Sequence, residues 1–355
     1  MRSVLGPAGS GRAIRVGPFT GAAEEWDRFV AAQAGATHYH RHGWRAVMRR
    51  AFGHESLLLA AHDDTGRLCG VLPLVRVKSV LFGHHLVSMP FLNYGGPLGA
   101  ADAVRALVDE ASRLARAQRV RQLELRSRIE LPLDLECSLD KVTMVLDLAA
   151  GNPPATWQSL PSTIRNGIRK PLKRGVSMRF GPDQLAPFFQ VFSHNMRDLG
   201  TPAHPRALFE AITDEFPDDV WYGCAYVDGV PTAAACGIVY GDEIELSWGS
   251  ALRAYNNSHA PNMLLYWSFM ERAAEHGLAR FNFGRCTPGS GTHHFKKQWR
   301  AREEQLWWYG QSRRAIAPGG VQRDSALSLG PRLWRHLPLS VATGVGPYIR
   351  RGIPA

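Results

Sequence analysis

The stretch of sequence that decides the fold is FNFGRCTPGSGTHHFKKQWR, residues 281–300. It predicts a strand that ends at Gly284 and opens into a loop of glycines and hydroxyl side chains, namely Gly289, Ser290, Gly291 and Thr292. Such glycines let backbone amides approach a ligand closely. The loop runs into a cationic, aromatic segment in which Lys296 and Lys297 supply point charges. The combination is typical of a site for a phosphate or polyanion, and an ordinary surface loop with a solvated basic face is the alternative.

Two histidines follow this loop, His293 and His294. Their near-neutral intrinsic pKa makes both candidate proton shuttles. Because adjacent residues of an extended segment face opposite sides, at most one of them can point into a site. His294 is the one we place among the catalytic candidates.

The elements on either side of this stretch recur in the same order. In the first half a helical segment, a hairpin turning at Asp64, a strand and a helix over 102–118 precede the alternating strand 122–126. In the second half the same series turns at Asp228 and ends on the strand before Gly284. The order predicts a duplicated α/β (α+β) unit with mixed sheets flanked by helices.

Domain boundaries follow from that repeat. We expect an N-terminal domain over 1–160, a basic linker helix over 161–180, a C-terminal domain over 181–312 and a tail rich in Gly, Pro and Arg over 313–355. The linker carries Arg165, Arg169, Lys170, Lys173 and Arg174. Either a solvated helix surface or a groove between the domains for a phosphate-bearing donor or acceptor explains these cations. The tail mixes apolar residues with arginines, which suits either peripheral contact with an anionic membrane or packing on the domain.

Composition and charge indicate the class of protein and its compartment. The 355 residues carry a formal charge of +11, from 42 Lys+Arg against 31 Asp+Glu, and 45% are hydrophobic, which is typical of a globular protein. Five cysteines without a C-x-x-C pair favour a reducing compartment over a disulfide framework or a cysteine zinc site. The N-terminal residues lack a continuous apolar segment, which argues against a secretory signal. We therefore expect a cytoplasmic protein, peripheral to the inner membrane if the tail binds lipid.

Motifs spread over residues 24–310 resemble the FemAB-like proteins associated with PEP-CTERM/exosortase and exopolysaccharide systems. These proteins belong to the Fem peptidyltransferase group of the GNAT-like acyl-CoA N-acyltransferase superfamily. The matching pieces are Phe52-Gly53-His54, Val71-Leu72-Pro73-Leu74, Leu81-Phe82-Gly83, Tyr94-Gly95-Gly96, Ile168-Arg169-Lys170, Arg197-Asp198-Leu199-Gly200, Phe283-Gly284-Arg285 and Ser290-Gly291-Thr292 with Phe295-Lys296-Lys297-Gln298-Trp299.

The resemblance implies two GNAT-like domains in tandem and an acyltransferase for cell envelope biogenesis. It would move an acyl or aminoacyl group from acyl-CoA or an aminoacyl-tRNA acceptor end to an amine on an envelope, peptidoglycan-type or exopolysaccharide precursor, without a tightly bound cofactor or DNA as partner. Such transfer needs a donor for the oxyanion of the tetrahedral intermediate. The resemblance implies a backbone amide on a bulged strand within 245–249, and places Lys296 at the lysine of an F-K-x-x-F/W element that contacts phosphate or transition-state charge.

The sequence departs from the family pattern at several positions. The acyl-CoA signature Q/R-x-x-G-x-G/A would lie over 253–260, where no glycine occurs. Asn282 stands where Asp is expected, Cys286 where Ser is usual, and Arg300 where Gly is usual. Pyrophosphate binding at the start of the following helix is therefore not expected in the ordinary form.

Further candidates come from single side chains. Asp198 is our first choice for the acid that orients or deprotonates the acceptor amine, with a helix-end ion pair as the alternative. Arg197 suits bidentate binding of a carboxylate or phosphate. Glu245 is an alternative base. The substrate-binding candidates are completed by Tyr94 and Gly95 at an acceptor cleft, Arg169 and Lys170 on the linker, Trp248 on a strand and Arg285 just after one.

A metal site and a cysteine nucleophile are not expected, and two rival functions remain open. His38, His40 and His42 lack accompanying Asp, Glu or Cys ligands, so no metal site is expected. Cys286 is not expected to act as a nucleophile, because direct aminolysis needs no covalent enzyme intermediate. An RNA-binding module and a catalytically silent assembly partner of an exopolysaccharide or protein-sorting system are the rival functions.

Overall fold

A computed structural model of the protein describes residues 13–312 and 330–353. Within these residues the chain forms two compact units. The first unit comprises residues 13–141, 305–312 and 351–353. The second comprises residues 142–304 and 330–350.

The first unit is built on a mixed sheet. Its strands are β1 (Arg15–Pro18), β2 (Glu55–His62), β3 (Leu68–Ser79), β4 (Gly83–Val87), β5 (Leu98–Gly99), β6 (Gln122–Ser127), β7 (Glu136–Ser138) and β15 (Trp307–Ser312). They lie in the order β1-β2-β3-β4-β6-β15-β7, with β5 paired to β3. Strands β4 and β6 run parallel, whereas β2, β3 and β4 form an antiparallel meander.

Three helices accompany this sheet: α1 (Ala23–Ala31), α2 (Trp44–Phe52) and α3 (Ala101–Ala117). A short 3-10 turn covers His38–His40. Helix α3 buries the face predicted from its apolar spacing, so Val104, Leu107 and Ala111 join the sheet residues in the core.

The second unit repeats the plan with a seven-stranded sheet. Its strands are β8 (Val142–Asp147), β9 (Ser177–Phe180), β10 (Val220–Val227), β11 (Val230–Tyr240), β12 (Glu243–Ala251), β13 (Arg280–Cys286) and β14 (Arg302–Gln305), in the order β14-β8-β13-β12-β11-β10-β9. Strands β12 and β13 run parallel. The helices are α4 (Pro153–Ser159), α5 (Ser162–Lys173), α6 (Leu185–Asp198), α7 (Arg206–Glu215), α8 (Arg253–Asn256), α9 (Pro261–Glu275), α10 (Gly291–Gln298), α11 (Gly330–Trp334) and α12 (Leu339–Arg350), with a 3-10 turn over Pro182–Gln184.

The two units share the order hairpin, strand, helix and parallel strand. In the first unit α3 connects the parallel pair β4 and β6, and in the second unit α9 connects β12 and β13. The mixed α/β fold with duplicated units is therefore the one predicted from the order of elements.

The chain is divided differently from the expected boundaries. Strand β8, which the sequence assigned to the N-terminal domain, pairs with β13 of the second unit. Strand β15, assigned to the C-terminal domain, pairs with β6 of the first unit. Each parallel pair is thus flanked by an antiparallel strand from a distant part of the chain. The residue pattern within one strand does not reveal which distant strand it pairs with.

The expected linker is a helix that belongs to the second unit. Helix α5 buries Ile164 and Ile168 in that unit's core, and its Gly167 approaches Met263 of α9. The expected tail is partly outside the described residues, since 313–329 is not described. Its remaining part forms α11 and α12, and α12 packs on α6. Among the helices described, none has both the length and the apolar character that crossing a bilayer requires.

Candidate active site

The central feature of the second unit is an opening between two parallel strands. In the described chain the parallel register of β12 and β13 covers three residue pairs, from Glu243 with Arg280 to Glu245 with Asn282. Both strands continue past these pairs, to Ala251 and Cys286. Strands that separate in this way leave room for a ligand between their backbones.

A β-bulge accompanies the opening. Between β11 and β12, Gly237 pairs with Leu246, and the preceding residue of β11, Cys236, pairs with Trp248. Ser247 is therefore the extra residue of a bulge on β12. The bulge lies inside the range 245–249, where the family resemblance implied a bulged strand.

Tyr266 of α9 reaches both strands at this opening. Its ring stacks on Phe283 of β13 with the centroids 5.4 Å apart. A Cβ atom added to Gly249 of β12 would lie 3.2 Å from the Tyr266 hydroxyl. Burial raises the pKa of Tyr266 to about 12, so the group is a neutral phenol that can donate a proton. Tyr266 is not among the site residues predicted from the sequence; a tyrosine on the helix that precedes β13 was the available signal.

The side chain of Lys296, from α10 (Gly291–Gln298), reaches the end of β13. Its side chain is 6% exposed, and Nζ donates hydrogen bonds to the carbonyl oxygens of Gly284 at 2.7 Å and Arg285 at 3.0 Å. Burial lowers the pKa of Lys296 to about 8, against the opposing influence of Cys286 and Glu245. Lys296 and Glu245 thus interact electrostatically at the opening, as two of the four predicted catalytic residues.

The segment that carries Lys296 is a helix and not the extended segment that we predicted. The Ser290 hydroxyl accepts a hydrogen bond from the His293 amide and caps α10, and the Thr292 hydroxyl lies 3.0 Å from that of Ser290. Ser290, Gly291 and Thr292 therefore start a helix, where the glycine and the hydroxyls suggested a loop. Neighbouring residues of a helix are about 100° apart, so one can be buried and the next exposed.

The helical geometry separates the residue pairs that the sequence joined. Lys297 is exposed and forms an ion pair with Glu303 at 3.1 Å, whereas Lys296 points inward. His293 is buried and lies 3.0 Å from the same carboxylate. His294, the predicted shuttle, is exposed, with Nδ1 2.8 Å from the Ser290 carbonyl oxygen.

Asn282 is hydrogen-bonded to neighbouring strands of the sheet. It is fully buried, and Oδ1 accepts hydrogen bonds from the Thr143 hydroxyl at 2.6 Å and the Gly284 amide at 2.8 Å. Its Nδ2 donates to Glu243 at 2.9 Å. The amide thus connects β8, β12 and β13 where the parallel register ends. Arg285, another predicted binding residue, follows on β13 in register with Thr143.

The predicted acid Asp198 ends α6 in an ion pair. Its carboxylate lies 2.7 Å from Nε of Arg197, which also donates through Nη1 to the Leu337 carbonyl oxygen. Asn195, one turn earlier, donates to the Ser250 hydroxyl on β12 at 3.2 Å. The end of α6 therefore lies beside the last residues of β12. Trp248 on β12 packs edge-on against Phe209 of α7 at 5.3 Å, a core contact.

Helix α5 presents the basic groove of the second unit. A cavity of about 300 Å³ is lined by Asn166, Arg169, Lys170, Lys173 and Arg174. Lys170 Nζ donates to the Asn257 carbonyl oxygen at 3.4 Å, between α8 and α9. Among the described residues none of these four cations forms an ion pair with a carboxylate. The groove therefore concentrates uncompensated positive charge beside the segment where the acyl-CoA signature is missing.

The equivalent opening of the first unit is filled by its own chain. The register of β4 and β6 stops at Val87 with Glu124, and the next residues fold back onto β6. The amides of Gly95 and Gly96 donate to the Arg126 carbonyl oxygen at 3.0 and 2.7 Å. Gly95 has φ +143°, and a Cβ there would meet Met89. Arg126 is held by a buried ion pair with Glu124 at 2.7 Å.

Tyr94 is consequently 0% exposed and packs on Tyr39 with the ring centroids 5.8 Å apart. This contradicts the expectation that Tyr94 and Gly95 line an acceptor cleft: they belong to the segment that closes the first unit. His38 and His40 are also buried there, and burial lowers the pKa of His40 to about 4. In the described residues no group of three His, Cys, Asp or Glu side chains could hold a metal ion.

Comparison with protein families gives one match, which lies within the second unit. Residues 158–297 match the acetyltransferase (GNAT) domain family. That range contains α5, both strands of the opening, α9 and Lys296. No curated protein matches the chain in sequence.

Solved structures resemble the chain over most of its length. FemX superposes with a TM-score of 0.63 at 15% identity, covering 82% of this chain and 97% of FemX. A tandem GNAT protein from the clavulanic acid biosynthesis pathway gives 0.55 at 13% identity, covering 84% and 98%. The C-terminal domain of a putative lysylphosphatidylglycerol synthetase from Agrobacterium fabrum gives 0.54 at 14% identity, covering 88% and 95%. The fold is therefore that of tandem GNAT proteins, as the resemblance implied.

Proposed function

We propose that the protein is an acyltransferase that moves an acyl or aminoacyl group to an amine at the opening between β12 and β13. One observation carries the proposal: the strands separate beside a bulge at Ser247, and Lys296 is buried where β13 leaves the pair. Burying the charged side chain of a lysine costs free energy. Buried ionisable groups with a shifted pKa are concentrated at functional sites.

The chemistry assigns a role to each group. The acceptor nitrogen attacks the acyl carbonyl carbon, and the tetrahedral intermediate then expels the thiolate or the tRNA oxygen of the donor. A backbone amide of β12 near the bulge stabilises the oxyanion, and the Lys296 ammonium offsets developing negative charge. Glu245 takes the amine proton. The Tyr266 phenol protonates the leaving group.

The donor is polyanionic in both versions of the reaction, acyl-CoA or aminoacyl-tRNA. We assign its phosphates to Arg169 and Lys170 in the groove on α5, with Lys173 beside them. These cations replace the glycine-rich signature that 253–260 lacks. Lys170 already contacts the backbone of that segment at Asn257.

The acceptor class follows from the resemblance. We propose an amine on a cell-envelope, peptidoglycan-type or exopolysaccharide precursor, within a PEP-CTERM/exosortase system. Asp198 and Arg197, beside the end of β12, are proposed to orient that amine-bearing substrate. Helix α12 exposes Val341, Val345 and Tyr348 at helical spacing, which supports peripheral contact of the tail with an anionic membrane.

The decisive experiment incubates the purified protein with labelled acyl-CoAs and, separately, with aminoacyl-tRNAs, and scores transfer to an envelope extract. Lys296→Met should reduce transfer by at least about 100-fold, the size of a lost electrostatic contact in a transition state. Lys297→Met is the matched control, since it removes an exposed lysine from the same helix, and should stay within about twofold. Transfer from neither donor contradicts the proposal.

One observation favours a second candidate, an RNA-binding module. The α5 cations without carboxylate partners suit a phosphate backbone. Salt-sensitive RNA binding that survives Lys296→Met, in a protein without turnover, would support the module over the enzyme.

A further inference from the structure

The β3–β4 hairpin of the first unit exposes two aliphatic side chains at its tip. Val80 is 104% exposed and Leu81 is 79% exposed. Most hairpin turns carry glycine or polar residues at such positions. Two adjacent aliphatic residues held in water mark a surface that binds an apolar partner.

Hydrogen bonds of Phe82 hold the turn at the tip. Ser79 pairs with Gly83, so the turn has three residues, and the Phe82 amide donates to the Ser79 hydroxyl at 3.2 Å. The Phe82 carbonyl oxygen lies 2.7 Å from Nε2 of His85. The anchoring of Phe82 fixes Val80 and Leu81 outward, so their exposure is a property of the folded turn.

A lysine lies at the base of the tip. Residues 76–87 contain no acidic residue. Lys78 and His84 are register partners just below the turn, on the same face as Arg76. Arg76 pairs with Glu55 at 2.6 Å, whereas Lys78 is exposed and has no carboxylate partner among the described residues. Burial lowers the pKa of His84, and the positive charges of Lys78 and Arg76 lower it further.

We propose that this tip inserts into the surface of an anionic lipid bilayer. Val80 and Leu81 would enter the boundary between headgroups and acyl chains, and Lys78 would remain at the level of the lipid phosphates. The choice of lipid over a protein partner rests on charge complementarity: an apolar tip with a cationic base matches an apolar layer beneath anionic headgroups. The proposal uses residues other than those of α12 and does not depend on the proposed reaction.

The test measures co-sedimentation of the full chain with vesicles of phosphatidylglycerol and phosphatidylcholine, and with phosphatidylcholine alone. We expect binding to the anionic vesicles, lowered at least about tenfold by the double change Val80→Ser with Leu81→Ser. Lys78→Ala should lower it about fivefold, the effect of one cation near the surface. Val230→Ser is the matched control, since Val230 is a valine 43% exposed in the β10–β11 hairpin of the second unit.

The outcomes separate lipid from other partners. Absence of wild-type binding, or binding unchanged by the double variant, overturns the proposal; loss only with Val345→Ser and Tyr348→Ser would assign the contact to α12 instead. Sedimentation equilibrium without lipid tests whether the tip instead binds a second copy of the chain. Self-association that only the double variant abolishes, without vesicle binding, would make the tip an interface between copies and overturn the proposal. Unchanged thermal unfolding of the variants confirms that they fold.

Discussion

The Nζ atom of Lys296 lies 2.7 Å from the carbonyl oxygen of Gly284, where β13 has already left β12. Gly284 has φ +75°, which favours glycine, and this turn of the backbone accompanies the register shift between β13 and β8. A second bond, to Arg285, fixes the ammonium further. The lysine is thus positioned by the same backbone distortion that forms the opening.

The pH dependence of transfer tests whether Lys296 acts as a cation. Its pKa is lowered to about 8, so the charged form dominates below that pH and is lost above it. We expect the rate constant for transfer to fall as pH rises through about 8, measured from steady-state rates at saturating donor and acceptor. Lys296→Arg keeps its charge, and its residual activity should lack this alkaline fall. A rate that rises through pH 8 would show that the neutral amine is the active form.

The same group makes stability depend on pH. Between the lowered pKa of about 8 in the folded protein and the ordinary 10.5, the unfolded chain holds a proton that the folded chain has released. Stability therefore increases with pH in this window. Relative to Lys296→Met, the wild type should gain about 2.5 kcal/mol in free energy of unfolding from pH 7 to pH 10. Urea unfolding of both proteins at several pH values measures this difference; a constant difference contradicts the buried, shifted lysine.

The α5 groove should affect binding of the donor and leave the chemical step intact. Replacing Arg169, Lys170 and Lys173 by Ala should raise the KM for the donor by about tenfold and leave kcat within about twofold, because the phosphates lie away from the reacting carbon. The salt dependence of KM should also weaken. Arg105→Ala with Arg116→Ala is the control, since both are exposed cations on α3. A fall in kcat with unchanged KM would remove the groove from donor binding.

Some elements of the fold and of the site can be predicted from the sequence and others cannot, for physical reasons. Apolar spacing was sufficient for α3, predicted over 102–118, because a helix face repeats within its own segment. The pairing of β8 with β13 joins Val142 to Cys286, and no local pattern encodes a partner so distant. Helix α10 was missed because Gly289 and Gly291 resemble a loop, although Ser290 is a favoured N-cap residue. With the helix missed, the pattern of residues gave no reason to expect Lys296 to be buried and Lys297 exposed.

Arg300 provides a stability test of the family resemblance. The residue follows α10 and stands where that resemblance expects glycine, and its φ is +64°, in the left-handed region that non-glycine residues adopt at a cost. Arg300 is exposed, so little packing is lost when its side chain is removed. Arg300→Gly should therefore raise the free energy of unfolding by about 1 kcal/mol. Arg119→Gly, at φ +53° in the first unit, should show a similar gain, whereas Arg116→Gly inside α3 should lose about 1 kcal/mol. Urea unfolding at pH 7 measures all three, and a loss for Arg300→Gly would mean that the arginine side chain stabilises the end of α10.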